Sequence, residues 1–274
     1  MKSQLSLSTK LNAQGRTQFD RYFAQSPFKL LPLPNEAQDW PHGLRVMQMS
    51  ASPGLLAGDQ IEIELELAAN TALNLQTQAF TRVQAMNAGD YASQNTQIRL
   101  APNSRLFYLP HPLVLHKDAA LRQRTEIQLS ENCQLIYGEI VAAGRVLNGE
   151  RFAFRHFASS LKISFGEQLL LQDRIQWLPA QMDLTAIGQM ENFTHQGALV
   201  FMDSTTDSQK SGVNFKALVQ RLQPLCEQSA QQQMLAGVSQ LNQMGVMVRV
   251  LGHRAEHIQN LFNQLAQVLR SDEI

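Results

Sequence analysis

Between Ile61 and Leu67 the chain reads Ile-Glu-Ile-Glu-Leu-Glu-Leu, apolar and acidic residues alternating with a period of two. An extended strand puts neighbouring side chains on opposite faces, so one face of this segment is buried and the other meets water. Weaker versions follow at Leu73–Thr77, Gln97–Leu100, Leu106–Leu109, Thr125–Leu129, Cys133–Tyr137, Phe152–Phe157, Leu161–Phe165 and Leu169–Gln172. Turn-forming residues separate them at Ala69-Asn70, Ala101-Pro102-Asn103, Ser130-Glu131-Asn132, Asn148-Gly149 and Gly166-Glu167. Many short strands at this spacing predict a wound or extended antiparallel β architecture, not alternating βαβ units.

After Ser204 the pattern changes. Thr205-Asp207-Ser208 precedes a helical segment around Phe215–Gln233, interrupted or kinked at Pro224, whose glutamine-rich end reads as solvated. Gly245 opens one more strand, Val246–Val250. In the last segment Ile258, Leu261, Phe262, Leu265, Val268 and Leu269 recur at i, i+3, i+4 and i+7, the stripe of an amphipathic helix. With no Pro/Gly/Ser linker, residues 1–274 read as one mostly β (α+β) domain. Its β body covers about 1–203, and two helices and one strand fill about 205–274.

Hydrophobic residues make up 44% of the 274, which suits a globular chain with a sizeable core. The 23 basic and 23 acidic residues cancel, so a nucleic-acid surface is not expected. Cys133 and Cys226 lie far apart and form no CxxC, which favours buried thiols in a reducing compartment. Neither a secretory signal nor an apolar run of membrane-spanning length is evident, and a cytoplasmic protein is expected.

Charge recurs within apolar surroundings between Gly138 and Phe154, at Glu139, Gly144-Arg145 and Gly149-Glu150. A polar group there needs a reason, because unpaired burial of charge is costly. His253-Arg254-Ala255-Glu256-His257 matches H-x-x-E-H, which on a helix sets two histidines at i, i+4 for zinc with Glu256 as base. Its plainer reading is a polar turn before a helix whose core face begins at Ile258, and the usual downstream carboxylate ligand is missing. His111 and His116 flank a proline-rich turn and read as exposed turn residues more readily than as ligands. No phosphate-binding glycine motif occurs. In Gly54-Leu55-Leu56-Ala57-Gly58-Asp59 the acid either caps a glycine turn or lines a polar channel. Asp173-Arg174 reads as a surface ion pair or, again, as a polar lining residue.

Set end to end, these blocks resemble the urease accessory protein UreD (UreH) family over nearly the whole chain. The resemblance runs through Gly15-Arg16-Thr17, Gly54 to Asp59, Thr77-Gln78-Ala79-Phe80-Thr81-Arg82-Val83 and Leu106 to Pro112. Glu139, Gly144-Arg145 and Gly149-Glu150 match the family's E-x4-GR-x3-GE block, and Leu235 to Ser239 leads into Val248-Arg249-Val250-Leu251 and the final helix. Ala57 stands where a second glycine is usual.

What the resemblance implies is a non-enzymatic scaffold with a wound, β-helix-like body of mixed sheet and two helices near the C-terminus. Members bind UreF and through it the GTPase UreG, as a dimer of UreD–UreF heterodimers, and dock on the urease structural subunits to deliver nickel. The resemblance further implies an internal polar tunnel, with Asp59, Thr81, Glu139 and Asp173 at matching positions. Ni²⁺ in transit needs exchangeable oxygen ligands, so neither a tight metal site nor a bound cofactor is expected. Gly58, Gly144, Arg145, Gly149 and Glu150 are then structural, the last charged pair stapling the strand turns. Arg249, Ile258, Leu261, Phe262, Leu265 and Leu269 are expected to contribute to the UreF contact. Two other readings stay open, a zinc hydrolase built on His253, Glu256 and His257, and a β-rich adaptor unrelated to nickel.

Overall fold

The computed structural model describes residues 1–36, 39–205, 213–241 and 244–270. Asp207 and Ser208 of the expected helix lead-in lie outside them. The chain opens with a hairpin, β1 (Lys2–Leu11) and β2 (Thr17–Ala24), followed by β3 (Phe28–Leu33) and β4 (Leu44–Ser50). It then winds. Strand β5 (Gln60–Leu67) lies in one sheet, β6 (Ala72–Gln78) and the short β7 (Thr81–Val83) in the other. The next two turns of the winding repeat this with β8 (Ala92–Leu100), β9 (Arg105–Leu109) and β10 (Leu113–Leu115), then β11 (Ala120–Leu129) and β12 (Gln134–Ala142). Beyond them come β13 (His156–Phe165), β14 (Gln168–Trp177) and β15 (His195–Asp203), helix α1 (Phe215–Gln228), β16 (Leu235–Leu241), β17 (Gly245–Gly252) and α2 (Ala255–Arg270).

The first sheet runs β14-β13-β11-β8-β5-β1-β2 and the second β16-β17-β15-β12-β9-β6-β4-β3. Strands β5, β8, β11 and β13 are parallel neighbours, as are β4, β6, β9 and β12, while the outer hairpins pair antiparallel. The body is therefore a mixed-sheet β-solenoid, as the strand spacing predicts.

One corner of the winding explains the asparagines. Asn70, Asn103 and Asn132 sit at φ 62°, 60° and 56°, a left-handed conformation that asparagine tolerates better than most side chains. Their backbones stack. Asn70 N–H donates to Pro102 O, Asn103 N–H to Glu131 O and Asn132 N–H to Ser204 O, at 3.0, 3.0 and 3.1 Å. The next residues, Thr71, Ser104 and Cys133, are all buried, with Ser104 Oγ 3.8 Å from Cys133 Sγ.

Two apolar clusters hold the molecule. The larger fills the space between the sheets, with Leu5, Leu65, Leu75, Ile98, Leu106 and Phe157 fully buried. The smaller lies between the outer face of the second sheet and the two helices. Gly197 makes this contact possible, since a methyl group there would stand 2.7 Å from Ile258 Cγ2 and 2.8 Å from Phe262 Cζ. Cys133 and Cys226 are both buried and free.

Four local expectations need correction. Phe152–Phe157 and Leu161–Phe165 are not two strands: Phe152 turns at φ 55°, and β13 is one strand from His156. Two strands, not one, follow residue 205, and both extend the second sheet through β15. Pro224 does not interrupt helix α1, which ends at Gln228 rather than Gln233. His253 precedes α2 rather than lying on it, so the two histidines of the H-x-x-E-H match do not share a helix face.

Candidate functional site: a polar file between the sheets

Register sets two polar rows facing each other across an apolar interior. On the first sheet the pairing aligns Ile61, Gln94, Gln123, Ser159 and Ile175 across β5, β8, β11, β13 and β14. On the second, Gln48 pairs with Thr77, and farther along Glu139 pairs with Ala198 and Ala198 with Arg249. Because side chains alternate across a strand, each row keeps to one face of its sheet. Here it is the face turned inward, so amides, hydroxyls and one carboxylate run along the solenoid axis.

Three cavities follow these rows. A recess of about 210 Å³ is lined by Gln48, Thr77, Phe80, Thr81, Arg82 and Gln94 among others. A central cavity of about 60 Å³ shares Gln48, Thr77, Thr81 and Gln94 with it and adds His111, Gln123, Tyr137 and Glu139. A third, of about 20 Å³, shares Tyr137, Glu139 and Val141 with the centre and ends at Asp173, Ile175 and Gln196. The central and last cavities both exceed the roughly 10–15 Å³ a cavity needs to admit a water.

Glu139 sits at the junction of the second and third cavities. It is half-buried and lines both cavities. Tyr137 Oη–H and Gln123 Nε2–H donate to its Oε1 at 2.5 and 2.7 Å. Burial raises the carboxyl pKa above its ordinary value; the two hydrogen bonds pull the other way and the Asp173 charge adds to the rise. Burial and the Glu139 charge also push the Tyr137 and Tyr108 hydroxyls up, so both remain neutral. Asp173 closes the far end, where its Oδ1 accepts from Arg249 Nη2 at 2.6 Å. Its partner is Arg249 of β17, not its sequence neighbour Arg174.

Thr81 lines both the recess and the central cavity. Asp59 does not join them. It is buried at the start of β5, accepts from Leu56 N–H at 2.8 Å through Oδ2, and meets the Met1 ammonium at 2.7 Å through Oδ1. Its carboxylate is used up in the glycine turn, where Gly58 adopts φ 75°, which corrects the expectation that it lines the path. Gly144 and Gly149 lie at φ 146° and 77° around a surface loop. There Arg145 Nε–H donates to Glu150 Oε2 at 2.9 Å, and Lys117 N–H donates to the same oxygen. Arg145 beside it holds the Glu150 carboxyl down to about 2. The pair staples two loops together at the surface, whereas Glu139 alone of this charged block points inward.

The α2 residues are core. Ile258, Leu261, Phe262, Leu265 and Leu269 are all at most 4% exposed, packed on the second sheet, which corrects their assignment to a partner contact. Arg249 remains half exposed beside Asp173. His253 stacks on Phe193 with ring centroids 5.1 Å apart, and no group of three or more His, Cys, Asp or Glu is placed to hold a metal ion among the described residues. No helix among them is long and apolar enough to cross a membrane. Sequence reasoning missed Gln48, Gln94, Gln123 and His111; the first three follow from register, and His111 was read as an exposed turn.

A family model described as UreD urease accessory protein matches residues 1–274. The chain is 61% identical over 271 residues to the urease accessory protein UreD of Actinobacillus pleuropneumoniae serotype 5b (strain L20), covering 99% of this chain and 98% of that one. It is 56% identical over 277 residues to UreD of Haemophilus influenzae (strain PittEE), covering 99% and 100%.

Proposed function

The chain belongs to the UreD urease accessory protein family, and from that premise we propose that it is a non-catalytic scaffold and nickel conduit of urease maturation. It binds UreF, and through it the GTPase UreG, in a dimer of heterodimers. That complex docks on the urease structural subunits in the cytoplasm and passes Ni²⁺ along the interior of this chain to the urease active site.

The single observation that carries the conduit is the file of cavities with shared walls, from the recess at Thr81 past Glu139 to Asp173. Gln123 and Tyr137 are paired with Glu139, but any buried amide or hydroxyl of the file left without a partner costs about 1–3 kcal/mol, a penalty a purely structural interior would avoid with apolar side chains. Waters along the file satisfy these groups and solvate a passing ion. Oxygen donors spaced along it bind a divalent cation weakly enough to let it leave. Asp173 and Arg249 form an ion pair at one end, so an arriving cation competes with a tethered one.

Co-expression of Glu139→Gln with urease and its accessory proteins tests this reading. The expected outcome is urease protein at wild-type level with nickel content reduced several-fold and the UreF complex intact. Full nickel occupancy in that variant would count against a conduit through this chain.

A further inference from the structure

The central cavity contains one nitrogen donor. His111 lies on its wall together with Gln48, Thr77, Thr81 and Glu139. The ring is held in place: Thr77 Oγ1 accepts from His111 N–H at 2.7 Å and lies 3.3 Å from its Nδ1, and the ring packs against Phe80 with centroids 6.2 Å apart. On the same wall Gln48 is 7% exposed, and its Oε1 is a buried acceptor with no hydrogen-bond partner. Gln48, Thr77 and Thr81 also line the outer recess, so this cluster marks the passage between the two cavities. An imidazole and a threonine hydroxyl on one wall offer a cation a nitrogen and an oxygen, whereas Gln48 Oε1 has almost no area open to the cavity.

We propose that His111, with the hydroxyl of Thr81, is a nickel-selecting station on the path, ligating Ni²⁺ through the imidazole before the ion reaches Glu139. The proposal deepens the conduit reading and rests on it. Oxygen donors alone discriminate less between Mg²⁺ and a first-row transition ion, whereas an imidazole favours nickel over the hard, abundant cations. Thr77 Oγ1 accepts from the His111 backbone N–H and lies beside Nδ1, and in the tautomer with Nδ1–H donating to it the Nε2 lone pair is left for the metal, with Thr77 the outer partner that orients the ring. Burial lowers the His111 pKa, which keeps the ring neutral and able to ligate. One nitrogen and a neutral oxygen make a site that discriminates without trapping its cargo.

Equilibrium dialysis of the full-length chain against Ni²⁺ and Mg²⁺, with nickel K-edge X-ray absorption of the loaded protein, tests the station. The expected wild-type result is nickel carrying imidazole scattering and Mg²⁺ bound at least tenfold more weakly. His111→Ala should lower nickel affinity about tenfold or more, remove that scattering and leave Mg²⁺ binding unchanged. His111→Asn, which keeps a polar partner for Thr77, should do the same, separating loss of the nitrogen from loss of packing. Glu139→Gln should weaken both metals and keep the imidazole signal. Unchanged nickel affinity and scattering in both His111 variants would overturn the station, as would an equal loss in His116→Ala, a residue outside the cavity wall. Should Glu139→Gln block nickel delivery to urease while both His111 variants deliver and bind as wild type, the station falls and the conduit stands. Normal delivery by Glu139→Gln would remove the conduit itself.

Discussion

At Glu139 the proposed conduit asks for an ionised ligand where burial disfavours the charge. Its folded-state pKa is raised, chiefly by burial, so the native state binds its proton more tightly than the unfolded chain does. The sign follows: as pH rises from the ordinary carboxylate range through the raised value, this group subtracts from stability, and the penalty is fully present above it. Glu139→Gln should therefore melt at a higher temperature than wild type at neutral pH while transferring less nickel, a trade of function for stability. Thermal melts at pH 7.5 and pH 4.5 check this, with the gap between the two proteins shrinking at the lower pH. A proton and a cation also compete for the same oxygens, so nickel binding should weaken on acidification at a pH above that of an ordinary glutamate, and the Gln variant should lose that step. His195 behaves oppositely. Burial, aided by His253, lowers its pKa to about 4, so native stability declines as pH falls from about 6.5 to about 4 and levels off below. His195→Gln should flatten that part of the curve of melting temperature against pH.

At the scale of elements, the corner asparagines and the α2 seat carry separate energetic roles. Asn103 holds a left-handed conformation at a turn whose backbone stacks on its neighbours. Asn103→Gly should be close to neutral, whereas Asn103→Val should cost about 1–2 kcal/mol because a β-branched side chain clashes there. Urea unfolding of the two variants separates conformational strain from loss of the asparagine side chain. Gly197 is the matching point under α2. Gly197→Ala drives a methyl group into Ile258 and Phe262 and should lower stability by about 1–3 kcal/mol as an overpacked contact does. These elements differ in how plainly the sequence announces them. The turn asparagines were legible because few residues accept positive φ, and the α2 stripe because its period is helical. That stripe gave no sign of what covers it, since a core face and a contact face carry the same apolar pattern. β16 went unread because Gly237 and Ser239 break its alternation and only Ala236 and Val238 pack inward on the helix side.

At the scale of the whole molecule, the file between the sheets arises from register, a property no single strand contains. Glu139 was legible as an anomaly in an apolar run, but Gln94 and Gln123 look like ordinary surface residues until the winding aligns them. Asp59 shows the reverse: the family resemblance implied a channel position, whereas the carboxylate caps the glycine turn, the other reading its own neighbours offered. His111 was hidden because a histidine between prolines usually faces solvent, while here the return of the solenoid folds that turn over the cavity. The winding thus sets scattered polar residues in line, and the proposed path rests on that alignment more than on any one residue. Nickel-edge anomalous diffraction from crystals of the full-length chain soaked in millimolar Ni²⁺ would look at that path directly. The expected result is anomalous density inside the solenoid between Gln48 and Glu139. Nickel confined to surface histidines, with the cavities free of metal at saturating concentration, would contradict it.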